Sequence, residues 1–230
     1  MEEIRTKVLV TITDKGKNKR IVNLYKRHNI KYSVELNGKG TASGSMLNYF
    51  GLEEIQKKII VSIIPYNLEG KLLEDLHKKL KIYEPGKGIA FTLSIKSASR
   101  YLSKIYSKEI GDDTIMKNDK EYELIVLIVS EGYAELAMEA AKRKGAGGGT
   151  LISGVGLGSS EATKILGITI EPEKDVVLIL TEKDQKRDVM EEVTESVGLA
   201  TEGRGICFSM PVDNVVGLTE NVKFEKIEEK

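Results

Sequence analysis

The most constraining feature of this sequence is that its second half repeats its first. Four glycines of the first half recur 116 positions later (132 minus 16, for example), so that Gly16, Gly38, Gly40 and Gly51 match Gly132, Gly154, Gly156 and Gly167. The segment EPGKGIAF at 84–91 recurs as TEGRGICF at 201–208, after a slip of one residue. A shared register of this extent is not expected by chance, and it predicts a tandem duplication. The predicted domains span residues 5–105 and 121–218.

Each half predicts the same order of secondary structure, β-α-β-β-α-β. In the second half, the apolar runs YELIVLIVS (122–130) and KDVVLILTE (174–182) have the length and composition of strands. The alanine-rich segment at 133–145 and the segment at 182–199, whose valines recur at helical spacing, predict the two helices. Shorter strands are predicted at GGTLISG and at RGICFSMPVDNVVGL, the latter broken at Pro211.

The first half follows the same order between KVLVTIT (7–13) and GIAFTLSI (88–95). This is the order of the split βαβ, or ferredoxin-like, fold. The predicted fold class is therefore α+β, with two tandem ferredoxin-like domains whose sheets are antiparallel and four-stranded. The polar segment between them, SKEIGDDTIMKNDKEYE (107–123), predicts a linker.

Two strands of the second half are apolar at consecutive rather than alternate positions. They are LIVLIV at 124–129 and VVLIL at 176–180. A strand of this kind is buried on both of its faces. The face that the helices leave bare must therefore meet another sheet, from the other half or from another chain, and a homo-oligomer is expected.

Composition and residue types argue against several functions. The 35 basic side chains balance 35 acidic ones, which disfavours a nucleic-acid partner. No apolar run reaches the roughly 20 residues that span a bilayer, so no membrane insertion is expected. Cys207, the only cysteine, is predicted to be a small buried hydrophobe, and a chain without disulfides fits a cytoplasmic location. His28 and His77 lack zinc-ligand spacing and are predicted to be solvated, and neither a metal nor enzymatic activity is expected.

The glycine-rich stretch KRKGAGGGTLISGVGLGSS at 142–160 does not match a nucleotide-binding motif. In such motifs the glycines follow a strand and open a helix, whereas these follow a predicted helix and precede a strand. Two interpretations of Gly147, Gly148 and Gly149 stay open: a close approach of the backbone to a neighbouring segment, or an anion-binding nest of backbone amides.

The glycine-bearing connector ISGVGLGSS and the ending GRGICFSMPVDNVVGL, together with the order of elements, resemble the PII nitrogen-regulatory signal proteins. The likeness lies in the second half, and the first half is placed mainly through the repeat. It implies a trimeric sensor without catalytic activity that binds adenine nucleotides in clefts between subunits, with ATP, ADP and AMP as candidates. It also implies 2-oxoglutarate binding and a loop that docks on a protein target in nitrogen metabolism. In this chain that partner-docking loop corresponds to Gly154, Gly156, Gly158 and Ser159.

The sequence departs from the PII pattern at residues that hold the family's ligands. The family's lysine falls on Ile206, its arginines fall near Gly217 and Thr219, and its glutamine falls on Gly158. Sensing of ATP and 2-oxoglutarate in the family's usual way is therefore not expected, because several charge-assisted bonds are lost together.

A substitute positive charge is available at Arg204, and Lys87 occupies the equivalent place in the first half. The predicted ligand site lies in an inter-domain cleft and combines Gly147, Gly148, Gly149, Gly203, Arg204, Gly205 and Lys87. The alternative is that Arg204 and Lys87 are solvated turn residues. The protein would then be a ligand-free interaction module that docks through the connectors between the second and third strands of its halves.

Overall fold

The computed structural model describes residues 6–41, 56–84, 87–95, 114–117, 121–156, 163–165, 168–170, 173–218 and 222–226. In the first half, the elements are β1 (Thr6–Asp14), α1 (Asn18–Arg27), β2 (Tyr32–Gly40), β3 (Gln56–Pro65), α2 (Glu69–Glu74) and β4 (Ile89–Ser94). A 3-10 turn, Tyr66–Leu68, precedes α2, and a π-helical turn, Asp75–Lys79, extends it.

The second half begins after a short strand, β5 (Thr114–Lys117). Its elements are β6 (Tyr122–Ser130), α3 (Ala134–Arg143), β7 (Thr150–Val155), β8 (Thr163–Ile165), β9 (Ile168–Ile170), β10 (Glu173–Glu182), α4 (Lys186–Val197) and β11 (Ile206–Val212). Two short strands follow, β12 (Val215–Val216) and β13 (Lys223–Lys226). The predicted α+β class is confirmed, and the strands of β1–β3, β1–β4 and β7–β10 pair in antiparallel register.

The chain forms two compact units that are not contiguous in sequence. The first unit consists of Met1–Asn37, Lys57–Tyr122 and Pro211–Lys230, and the second consists of Gly38–Gln56 and Glu123–Met210. In the first unit the strands lie in the order β2-β3-β1-β4-β12, and in the second they lie in the order β11-β6-β10-β7.

Each unit has its own core, built from one face of its sheet and its helices. In the first unit, α1 places Ile21, Leu24 and Tyr25 on one buried face against Leu9 and Ile60 of the sheet. This face forms because apolar residues three and four positions apart share one side of a helix. The buried hydroxyl of Tyr25 pairs with that of Thr11, and burial raises the pKa of the tyrosine.

In the second unit, small residues bring a helix close to the sheet. Ala137, Ala140 and Ala141 of α3 are buried without exposed surface, and they pack with Ile125 and Val177. Alanine has the highest helix propensity and leaves little side-chain bulk between helix and sheet. The alanine-rich pattern therefore explains both the helix and its close packing.

Strand β6 is buried on both faces within one chain. Ile125 and Leu127 belong to the core beneath the helices, while Leu124 and Val126, which alternate with them, are only 4% and 8% exposed. The predicted two-sided burial is confirmed for this strand. Leu124 and Val126 are buried within a single chain, so β6 does not by itself require another copy, and the homo-oligomer stays a prediction.

Two local predictions are wrong. The last strand does not break at Pro211: β11 continues to Val212, and the interruption falls at Asp213 and Asn214. A proline lacks the N–H that a central strand would use, and β11 tolerates it as the outermost strand of its order. The segment predicted to be a linker contains β5, which pairs with β13 in antiparallel register and is therefore part of a two-stranded sheet.

Within the described ranges, no helix is long and apolar enough to cross a membrane. The same residues contain no group of three or more His, Cys, Asp or Glu side chains that could hold a metal ion.

Candidate ligand-binding site

The glycines between α3 and β7 are engaged in packing. A Cβ atom on Gly149 would lie 2.9 Å from Sδ of Met138 and 3.0 Å from the carbonyl oxygen of Leu178. The Gly149 amide donates a hydrogen bond of 2.7 Å to Oγ1 of Thr41, and its carbonyl accepts one of 3.0 Å from the Thr41 amide. At Gly149 the structure therefore shows the close backbone approach, and its amide is not directed toward an anion. Gly147 is exposed, and Gly148 has a φ of 155°.

The turn between α4 and β11 is also held by internal contacts. The amide of Gly203 donates to Oγ1 of Thr201 at 3.2 Å, and the Arg204 amide donates to the Thr201 carbonyl at 3.2 Å. The Gly205 amide donates to the Val197 carbonyl at 2.7 Å. Gly203 and Gly205 are buried, whereas Arg204 is exposed and has a φ of 45°. The amides that would form an anion nest here are consequently satisfied within the protein.

The two glycine segments do not converge within the second unit. Gly149 lies beside Leu178, near the middle of β10. The carbonyl of Gly203, by contrast, accepts a hydrogen bond from the amide of Ser130. The next residue, Glu131, donates its amide to the carbonyl of Glu173 at the start of β10. Five residues along a strand separate these places by about 17 Å. The prediction placed both junctions on one edge of the fold, and it is wrong for this unit. The reason is that β7 and β11 run in opposite directions, so their starting ends lie at opposite ends of the sheet.

The predicted docking loop is described only in part. Gly154 lies on β7, where it is exposed and pairs with Lys174 of β10. Gly156 directly follows β7. Gly158 and Ser159 lie outside the described residues, so their role in partner docking stays a prediction.

Lys87 lines a cavity of about 280 Å³ in the first unit. Lys17 and Arg20, at the start of α1, contribute two further cations to the lining. Thr13 and Gly16 line it at the end of β1, and Ile21, Leu80 and Ile82 supply its apolar part. The Thr13 hydroxyl donates a hydrogen bond of 2.5 Å to the Lys87 carbonyl, which fixes the backbone at this residue.

The charges around this cavity are only partly compensated. Nζ of Lys87 lies 2.7 Å from Glu84, and this hydrogen bond lowers the pKa of the Glu84 carboxyl. Nζ of Lys17 lies 3.4 Å from Asp14, which also pairs with Lys57. Arg20 makes no ion pair with any residue that the structure describes. The described lining residues include no acid, but Lys87 and Lys17 are paired with acids just outside the lining, so Arg20 contributes the positive charge that no described ion pair compensates.

The start of α1 adds to this positive potential. Its first turn contains no acidic residue, whereas the first turns of α2, α3 and α4 contain Glu69, Glu135 and Asp188. The N-terminus of a helix carries partial positive charge, and cations there are unfavourable unless an anion is near. Arg20 is therefore placed where a bound anion would relieve repulsion, whereas Lys17 already has the Asp14 carboxylate nearby.

Of the residues that line this cavity, the sequence pattern predicted only Lys87. Gly16 was recognised only as a repeat marker, although the run DKGKNKR at 14–20 holds three lysines and an arginine around it. That run was the available signal. Leu80 and Ile82 reach the cavity through long-range packing that no local pattern reveals.

The equivalent positions of the second unit differ in chemistry. Gly132 repeats the left-handed turn of Gly16, with φ values of 88° and 93°. Tyr133 stands in place of Lys17, and its hydroxyl donates a hydrogen bond of 3.0 Å to Glu202. Leu136 replaces Arg20. Only Arg204, the counterpart of Lys87, retains a positive charge, so the cationic set is a feature of the first unit.

A separate charged cluster surrounds Asp75 on the π-helical turn. Its carboxylate accepts hydrogen bonds from Nε2 of His28 at 3.0 Å and from Nζ of Lys79 at 2.7 Å, and Lys71 lies 3.7 Å away. The Asp75 side chain is 2% exposed. Burial opposes its ionisation, but the bonds from Lys79 and His28 outweigh burial, and the pKa of Asp75 lies below its ordinary value.

This lowered pKa predicts an acid-sensitive contribution to stability. A carboxyl group whose pKa is lower in the folded than in the unfolded state stabilises the fold fully above its unfolded pKa of about 4, and the contribution is lost as the pH falls through the folded pKa. We expect Asp75→Asn to be less stable than the wild type at pH 7 and to lose less stability on acidification below about pH 4. Thermal unfolding at pH 7, 4 and 3 measures both effects. Asp184→Asn, at an exposed turn, is the control, and parallel pH profiles for Asp75→Asn and the wild type would contradict the assignment.

The remaining reactive side chains are packed against the cores. His77 is 6% exposed and its ring lies 4.8 Å from that of Tyr83, so the prediction that it is solvated is wrong. His28 is also not a free surface residue, because it binds Asp75. Cys207 is half-buried against the core of the second unit, and burial raises the pKa of its thiol to about 11. The thiol is therefore protonated at neutral pH.

No family model matches this chain, and no curated protein matches it. A Bacillus cereus protein related to NIF3 is similar in structure over 45% of this chain, with 17% identity and a TM-score of 0.33, and the match spans 29% of that protein. An unknown protein from Galdieria sulphuraria matches 92% of this chain and 100% of its own length, with 16% identity and a TM-score of 0.28. A microcompartments protein from Desulfitobacterium hafniense DCB matches 91% of this chain and 96% of its own, with 14% identity and a TM-score of 0.25. These scores are too low to support an inference about function.

Proposed function

We propose that this protein is a PII-like regulatory protein that binds a small anionic ligand in the cavity of its first unit and acts on a protein target. The observation that carries the proposal is the cavity itself, which Lys17, Arg20 and Lys87 line together and whose described lining includes no acid. A concave site with an apolar part and a few convergent polar groups is the usual form of a small-molecule site.

The strand orders support the architectural part of the proposal, two tandem ferredoxin-like units. When the four main strands of each half are numbered along the chain, β4-β1-β3-β2 and β11-β6-β10-β7 both give the order 4-1-3-2. The β-α-β-β-α-β sequence with this strand order defines the ferredoxin-like fold. The regulatory role, the homotrimer, the cytoplasmic location and the lack of catalysis come from the sequence and its PII resemblance, and they are part of the proposal.

Arg20→Gln should weaken ligand binding strongly. Removal of one charge-assisted hydrogen bond costs about 1.5–3 kcal/mol, which corresponds to a loss of roughly 10-fold to 150-fold in affinity. Isothermal titration of the intact protein with inorganic phosphate, AMP, ADP, ATP and 2-oxoglutarate identifies the anions that bind, and the variant is then titrated with the tightest of them. The side chain is exposed, so the substitution should leave the fold unchanged.

Arg204→Gln is the matched control, because Arg204 is an exposed arginine in the second unit and the charged residue that sequence predicted for the site. We expect its affinity to equal that of the wild type. A loss of binding in Arg204→Gln with none in Arg20→Gln would overturn the first-unit site and favour the glycine turn. If none of these anions and no alkyl phosphate or carboxylate bound, the ligand-binding proposal would be wrong.

The alternative, a ligand-free interaction module, has one observation in its favour. Tyr32, Val34 and Leu36 alternate along β2 and are 51%, 57% and 39% exposed. Ser33, between them, points to the opposite face, where its hydroxyl bonds that of Ser62. Exposed apolar side chains in a row are typical of surfaces that meet a partner. A protein that binds no anion but loses its target when Val34 is changed to Lys would support this alternative.

A further inference from the structure

We infer that the ligand of the first-unit cavity is an aliphatic molecule with one compact anionic head, and that it is not a nucleotide. This inference rests on the proposed function and specifies the chemistry of the same site. It follows from three properties of the lining: the kind of apolar surface, the arrangement of the cations and the volume.

The apolar part of the cavity is aliphatic. Ile21 comes from the buried face of α1, and Leu80 and Ile82 come from the end of the π-helical turn and the loop after it. Among the described lining residues there is no aromatic ring on which a base could stack and no side-chain amide that could read its edge. Stacking on aromatic side chains and hydrogen bonds to base edges are the usual means by which proteins hold nucleobases.

The polar part of the cavity is cationic and has little other donor capacity. Lys17 and Arg20 stand at the start of α1, and Lys87 reaches the same cavity from the segment before β4. The Thr13 hydroxyl already donates to the Lys87 carbonyl, so it offers a ligand only its acceptor capacity. Lys17 and Lys87 already pair with Asp14 and Glu84, so Arg20, with the two lysines beside it, suits one compact head such as a phosphate monoester or a carboxylate.

The volume indicates how much of an occupant this open cavity can cover. At about 280 Å³ the cavity lies just below the usual range of 300–1,000 Å³ for small-molecule sites. A short alkyl chain fits this volume and matches the aliphatic lining, which a sugar with a base attached does not match.

A chain-length series tests the inference on the intact protein. Inorganic phosphate, ethyl phosphate, butyl phosphate and hexyl phosphate are titrated calorimetrically, with hexanoate and AMP as comparison ligands. We expect affinity to rise roughly fourfold for each methylene that is buried, until the cavity is full. Hexyl phosphate should bind more tightly than AMP. The ratio of the affinity for hexyl phosphate to that for hexanoate shows whether the cations prefer a phosphate or a carboxylate head.

Leu80→Asn tests the aliphatic surface directly, because Leu80 is only half-buried and the change removes apolar contact without altering charge. It should reduce the affinity for hexyl phosphate at least tenfold and leave that for inorganic phosphate within twofold. Leu136→Asn, an exposed leucine of the second unit, should change neither. If Leu80→Asn fails to fold, the chain-length series on the wild type still tests whether the ligand is aliphatic.

Two outcomes would separate the inference from the proposal on which it rests. Tighter binding of AMP than of every alkyl phosphate, with no dependence on chain length, would overturn the aliphatic ligand and keep the anion site. Failure of every anion to bind, inorganic phosphate included, would overturn both.

Discussion

Glu69→Gln is expected to lower the free energy of unfolding by about 3 kcal/mol, because it breaks a buried charged network. Oε2 of Glu69 lies 2.7 Å from Nζ of Lys7, and both side chains are 10% exposed. Its other oxygen accepts hydrogen bonds from Thr92 at 2.5 Å and from Asn214 at 2.9 Å. Loss of one partner leaves a buried charge poorly compensated, and such losses cost about 3–5 kcal/mol. The lower end applies because Asp213 remains 3.1 Å from Lys7.

Urea unfolding of the variant and the wild type measures this loss. Glu191→Gln is the matched control, because Glu191 forms an ion pair with Arg187 on the exposed face of α4, with side chains 59% and 83% exposed. An exposed pair of this kind contributes only about 0.3–0.5 kcal/mol. Equal losses in the two variants would mean that the Glu69 network is not a major source of stability.

The raised pKa of Lys7 is consistent with a stabilising role for this network. Burial of Lys7 opposes its charge, but the hydrogen bond and charge of Glu69, together with Asp213, outweigh burial and raise the pKa of the lysine. A raised lysine pKa contributes stability that is fully present below the unfolded value of about 10.4 and is lost only as the pH rises through the folded value. The network is therefore intact across the neutral range.

The positions of most strands and helices could be predicted because the hydrophobic pattern that specifies them is local. The run YELIVLIVS predicted a strand at 122–130, and β6 spans Tyr122–Ser130. Continuous apolar runs flanked by turn residues fix a strand without knowledge of its neighbours. The valines of α4 likewise lie on its buried face, because helical spacing alone determines which residues share a side.

The contacts made by the residues that follow β11 could not be predicted from local patterns. Asn214 accepts a hydrogen bond from the amide of Thr92 and donates one to Glu69, over separations of 122 and 145 residues. Asp213 joins Lys7 in the same way. These contacts depend on which strand the ending lies beside, and neither a run of residues nor its spacing contains that information.

The candidate site was predicted only in part for a related reason. Lys87 was identified through the repeat, which compares residue types at equivalent places. Gly149 and Gly205 were placed together because both follow a helix, although β7 and β11 run in opposite directions. The cavity, in turn, needs Leu80 beside Arg20, two residues whose proximity results from packing of the folded unit.

Gly205→Ala should lower the free energy of unfolding by about 3 kcal/mol, the upper end of the usual cost of overpacking. A Cβ atom at this position would lie 2.4 Å from the Val197 carbonyl oxygen and 3.0 Å from Cγ1 of Val129. A backbone carbonyl cannot move aside as a flexible side chain can, and this one also accepts the Gly205 amide at 2.7 Å. Relief of the clash would therefore separate the end of α4 from the start of β11. Urea unfolding measures the loss.

Gly147→Ala is the matched control, since it is the same substitution in the glycine stretch of the same unit. An added Cβ at Gly147 meets no atom within 4 Å, and its φ is outside the left-handed region. Alanine at such a position restricts the unfolded chain, and we expect a change between zero and a gain of about 1 kcal/mol. A Gly205→Ala protein as stable as the wild type would show that the turn can move away from Val197. The turn would then have the freedom to rearrange around a ligand, and the glycine site that sequence predicted would regain support against the cavity of the first unit.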